Sequence, residues 1–137
     1  MNLTLKHAIA AILLMLALAV PLAAGPLEDG YTAYTRGDFA TAMRLMRPLA
    51  DQGDVTAQTV VGLMHYFTYG DYVSAYMWFN LAAAQGNTFA DMFLKDTADK
   101  MTPEQIAEAQ KLAREWKSRT RVEAKYAAAF SLETRDA

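Results

Sequence analysis

Cysteine is missing from this 137-residue chain. Its absence removes disulfide frameworks, thiolate zinc sites, cysteine nucleophiles and lipid attachment through a thiol. Neither sign of charge dominates: 13 Lys and Arg against 15 Asp and Glu leave a formal −2, so no global basic excess draws the chain to nucleic acid. Histidine occurs only at His7 and His65, and none of the seven glycines forms a phosphate-cradling loop. No stretch alternates apolar and polar residues at period two, which argues against strands. What remains is a short, helix-forming chain of one domain's length.

The one long apolar run comes first. Lys6 and His7 precede residues 8–20, which carry no polar side chain, and Pro21, Leu22, Ala23, Ala24 and Gly25 follow. This is the order of a secretory signal peptide, and the run is shorter than the ~20 residues a spanning helix needs. Cleavage after Ala24 is expected, giving a periplasmic or secreted protein. Leu22 at the minus-three place keeps an alternative open, in which the segment stays on and anchors the chain in the cytoplasmic membrane.

Beyond residue 24 the punctuation is regular: Gly37-Asp38, Gly53-Asp54, Gly70-Asp71 and Gly86-Asn87. In each pair glycine can take the left-handed conformation past a helix end, and the Asp or Asn can cap the next helix. Separations of 16, 17 and 16 residues leave room for about 14 helical residues each, roughly 20 Å of rod. Thr102-Pro103-Glu104-Gln105 marks a fifth start, with Thr102 as cap and Gln105 reaching back. Helices are therefore predicted over 27–36, 39–52, 55–68, 72–85, 88–100 and 103–119. Corners this short turn sequential helices into antiparallel hairpins. The helix over 72–85 is apolar nearly all round, which places it in the middle.

A shift of 33 residues lays Gly37, Asp38, Phe39 and Ala42 on Gly70, Asp71, Tyr72 and Ala75. The same shift lays Ala50, Gln52, Gly53 and Ala57 on Ala83, Gln85, Gly86 and Ala90. A fixed period of this kind signals a helical repeat whose units bury their apolar faces against one another.

The segment SAYMWFNLAAAQGN, with Ala75, Trp78, Phe79, Ala82, Ala83, Gln85 and Gly86, resembles the second helix of a Sel1-like repeat, a relative of the tetratricopeptide repeat. RGDFATAMRLMRPLADQGDVTAQ resembles a degenerate first repeat. The glycine-rich loop usual between the family's two helices is missing, since Tyr66-Phe67-Thr68-Tyr69-Gly70 runs straight into Asp71, and the unit is shorter than the family's usual one. The resemblance implies an all-α fold: a short right-handed α-α superhelix of two to three helical hairpins with a C-terminal capping helix. Residues 25–119 would form the repeat domain and residues 120–137 a helical extension or frayed tail. In related repeat folds the first helices of successive pairs line the inner surface. Here that stripe would be Thr56, Thr59, Leu63 and Tyr66, and one period later Phe89, Met92, Asp96 and Asp99. A lining both apolar and acidic suits an extended protein or peptide segment of basic character.

Chemistry has thin support. His65 has no second ligand or partner base at a helpful spacing and reads as a partly buried histidine bonded to a neighbour. Asp96 and Asp99 share a helix face without a calcium-type loop, and Ser74, Ser118 and Ser131 lack a nucleophile's setting. No catalytic residue, metal ligand or cofactor is assigned. Lys111, Arg114, Lys117, Arg119, Arg121 and Lys125 form a basic run, read as a solvated face with a Glu115 to Arg119 pair. Contact of that face with anionic lipid or an acidic partner is the alternative. The function expected is an exported scaffold that binds a protein or peptide. An envelope hydrolase on the same fold and a membrane-anchored accessory subunit are the competing readings.

Overall fold

A computed structural model describes residues 25–133, and within them every regular element is helical. The expected leader, residues 1–24, lies outside the described residues. Six α-helices follow in order: α1 (Pro26–Thr35), α2 (Phe39–Asp51), α3 (Val55–Leu63), α4 (Tyr72–Ala83), α5 (Thr88–Ala98) and α6 (Pro103–Glu133). A π-helical turn, Met64–Tyr69, extends α3.

The corners behave as their residues dictate. Asp38, Asp54, Asp71 and Asn87 each accept from the backbone N–H three residues on, at 2.8 to 3.1 Å. Gly37 and Gly70, one period apart, hold φ of 78° and 64°, a region in which any other residue would be strained. At the fifth corner Gln105 N–H donates to Thr102 Oγ1 at 3.3 Å while Thr102 N–H donates to Gln105 Oε1 at 2.9 Å. This is a complete capping box.

Each helix from α1 to α4 packs on the next, and α4 packs on α5. The last pair differs from the earlier ones, because α6 packs chiefly on α4. It does so through Ala113 and Trp116, the latter edge-on to Trp78 with ring centroids 6.4 Å apart. Thus α5 and α6 do not form a third hairpin like the first two.

Helix α4 accounts for the layout. Trp78 and Leu81 enter a cluster with Met46, Val60, Val61, Met64 and Ala113, while Ala75, Phe79 and Ala82 enter a second cluster with Ala90, beside Leu63, Tyr66 and Phe93. Its two apolar faces serve two separate cores, which is why its sequence leaves no broad polar side. Small residues let the rods close up: Ala42, Ala57, Ala75 and Ala90 are fully buried. Gly62 meets the ring of Phe79 so closely that a Cβ there would lie 2.7 Å from Phe79 Cε1.

Most helix ends differ from the expectation by one or two residues, and three differences matter for the packing or the site. The helix over 55–68 gives up α-helical bonding at Leu63 and finishes as the π turn, the N–H of Asp71 donating to the carbonyl of His65 at 2.9 Å. Helix α4 closes at Ala83, ahead of Gln85, whose side chain is used elsewhere. Finally, α6 continues past Arg119 as one rod to Glu133, so the 120–137 segment begins as a helical extension.

Candidate functional site

A concave surface suited to a ligand lies between the π turn and α5. Tyr66 and Phe67 from the turn, and Met92, Phe93 and Asp96 from α5, line a pocket of ≈ 290 Å³. Phe93 is its hub: its ring centroid lies 5.7 Å from Tyr66, 5.8 Å from Phe67, 5.4 Å from Phe79 and 4.9 Å from Phe89. The contacts with Tyr66 and Phe67 are edge-on, at 82° and 77°, an arrangement the aromatic quadrupole favours.

The π turn makes that constellation possible. Consecutive side chains of an α-helix diverge by 100°, but i to i+5 bonding puts more residues into each turn and narrows the step. Tyr66 and Phe67 therefore both reach Phe93, with their own centroids 4.6 Å apart. Phe67 remains 64% exposed and Met92 65% exposed, so the pocket's mouth is apolar and wet.

One end of the pocket is polar. The Tyr66 hydroxyl donates to the Asp96 carboxylate, and Lys100 Nζ stands 3.4 Å from Asp96 Oδ2 and 5.7 Å from the Tyr66 ring centroid. The bond from Tyr66, with Lys100 beside it, holds the Asp96 carboxyl below the usual carboxylate range. The same bond raises the phenol of Tyr66, and Tyr66 and Asp96 together hold Lys100 above the ordinary lysine range. The charged rim is thus fully ionised at neutral pH.

The expected stripe divides. Tyr66, Met92 and Asp96 converge in the pocket, Phe89 flanks it through Phe93, and Leu63 packs beneath as part of the second core. Thr56 belongs to a different hollow, of ≈ 550 Å³, with Leu27, Glu28, Tyr31 and Thr32. Asp99 lies exposed at the end of α5. Thr59 is a correction: at 7% exposure it lines no surface, its hydroxyl donating to the Val55 carbonyl at 2.8 Å and accepting from Asn87 Nδ2 at 3.2 Å. Phe67 and Phe93, absent from the expected set, supply two of the pocket's three aromatic rings. Both stand at helical spacing from members of the stripe, Phe67 four residues after Leu63 and Phe93 four after Phe89. The run Tyr66-Phe67 was the available signal, but the π turn that uses it has no local signature.

His65 is half-buried, its Nδ1 3.4 Å from Asp71 Oδ2. One further expectation needs revision. Glu115 approaches Lys111, at 4.0 Å, where Arg119 was expected as its partner. Among the described residues no three His, Cys, Asp or Glu side chains gather as metal ligands, and no helix is long and apolar enough to cross a membrane. No protein-family model matches the chain, and neither a characterised protein nor a solved structure is significantly similar to it.

Proposed function

We propose that this chain is an exported helical-repeat scaffold of the Sel1-like kind, a short right-handed α-α superhelix that binds an extended segment of another protein. The aromatic pocket carries the reading. Exposed large apolar side chains gathered around a concave site, with a carboxylate, a phenol and an ammonium at one end, are what peptide recognition uses. The repeat assignment is supported by the matched residues one period apart, whose caps and left-handed glycines coincide. Export is supported by the basic-then-apolar order of residues 6–20 and the small residues after them.

Site-directed photocrosslinking tests the function. With a photoreactive amino acid at Phe67, a discrete peptide of another protein is expected to be captured in the native host. A label at Arg114, exposed on α6, should not capture it. Equal capture from both positions would refute the assignment of the binding face. Edman sequencing of the exported protein tests the leader, with Gly25 expected first and an intact Met1 excluding cleavage.

A further inference from the structure

The aromatic pocket sits at one end of α3 and the second hollow at the other. Thr56, in the first turn of α3, borders the hollow formed with Leu27, Glu28, Tyr31 and Thr32 of α1. Phe67 borders the aromatic pocket. Eleven positions separate the two residues, about three helical turns, so both lie on one side of the rod, roughly 16 Å apart along it. Between them along the rod the half-buried Asn87 makes a polar saddle over the buried Thr59, to which it donates, and Leu63 is half-buried.

The elements that flank the two hollows carry more acidic than basic residues. Helix α3 with its π turn has no Asp, Glu, Lys or Arg. Across α1 and residues 88–100 there are five carboxylates, Glu28, Asp29, Asp91, Asp96 and Asp99, against two ammoniums, Lys95 and Lys100. Those lysines pair with Asp91 at 3.3 Å and Asp96 at 3.4 Å. With Arg36 at the end of α1 also counted, two negative charges are left over, and of the carboxylates Glu28 lines one hollow and Asp96 the other.

From this geometry we infer that the two hollows form a bipartite site for one extended basic segment, which seats two large apolar side chains four or five residues apart. The inference rests on the peptide-binding reading above and adds a spacing rule to it. The spacing follows from length: an extended chain advances roughly 3.3 Å per residue, so four or five residues cover the distance. Backbone groups crossing the saddle meet the Asn87 amide, and basic residues of the segment meet the carboxylates at either end. Two weak contacts on one chain reinforce each other because the second is made at high effective concentration.

Fluorescence anisotropy with the full chain tests it. The probes are fluorescein-labelled peptides of lysine and serine carrying two phenylalanines at offsets from two to eight. Affinity should peak at offsets of four or five, at least tenfold above an offset of two. Phe67→Lys and Tyr31→Lys, both at exposed positions, should each reduce the best peptide to the affinity of a single-phenylalanine control while the circular dichroism spectrum stays unchanged. Replacing the peptide's lysines with glutamates should weaken it at least tenfold. Affinity that does not depend on offset, retention of the best peptide by both variants, or no binding across the series would overturn the bipartite site. Offset-independent binding that is still lost in Phe67→Lys would overturn this inference alone and leave the single-pocket function standing. The crosslinking experiment judges that function separately.

Discussion

Gln85 reaches back to Gln58. Its Nε2 donates to the buried Gln58 Oε1 at 2.9 Å and to the Gly53 carbonyl at 3.2 Å, while Gln58 Nε2 donates to the Ala50 carbonyl at 3.2 Å. The glutamine that ends the aromatic-alanine segment therefore ties the α4–α5 corner to the α2–α3 corner, two corners back. Gln58 is fully buried, so every polar atom it carries must find a partner inside.

Gln85→Leu should consequently cost about 1–3 kcal/mol, because the Gln58 oxygen loses its donor in a site water does not reach. Urea denaturation measures it. Adding Gln58→Met removes the stranded group, and the double variant should lose less than the sum of the two single losses.

Trp78→Ala should destabilise by about 3–5 kcal/mol. The indole is fully enclosed, edge-on to Trp116 and covered by the Arg47 guanidinium 5.1 Å from its centroid. A melting temperature within 2 °C of the parent, roughly the shift of a sub-kcal/mol change, would contradict the packing described.

Gly62→Ala and Gly70→Ala should fail for different reasons. At Gly62 a methyl group collides with Phe79, an overpacking cost of about 1–3 kcal/mol that Phe79→Leu should partly relieve. At Gly70 nothing lies within 4 Å, and the positive φ alone carries the penalty, about 1–2 kcal/mol. No second-site change in packing should relieve it. Thermal melts of the single and paired variants separate the two cases.

His65 should make stability depend on pH. Burial depresses its pKa below the ordinary 6.5; the Asp71 carboxylate opposes that shift and Arg47 reinforces it. The unfolded chain then binds the proton first. The stabilising contribution is complete above about pH 6.5 and is lost as pH falls from there towards the lower folded-state value. Melting temperature should decline between pH 7 and pH 5, and His65→Gln should flatten that decline.

Much of this was legible because helix corners are written locally. Each glycine followed by Asp or Asn, and the Thr102 to Gln105 box, states its own hydrogen bonds within four residues. The central place of α4 was legible too, since a helix without a polar side has to be covered. The π turn was not, because Met64–Tyr69 has the composition of any apolar helix end and nothing local in it specifies the change in bonding. Nor was the burial of Thr59, which depends on Asn87 arriving from the α4–α5 corner. Uniform spacing put Asp96 opposite Leu63 in the repeat frame. The added residue of the π turn, together with the sideways reach of a tyrosine, gives Asp96 to Tyr66.

Helix α4 seals one core with Trp78 and Leu81 and another with Ala75, Phe79 and Ala82. Solenoids ordinarily grow or shrink by whole units, since each unit answers only to its neighbours. In this chain, deleting the first two helices strips one flank of α4 and deleting α5 strips the other. A lineage carrying such an arrangement can vary its rims freely, yet it has little room to gain or shed a hairpin without rebuilding the middle.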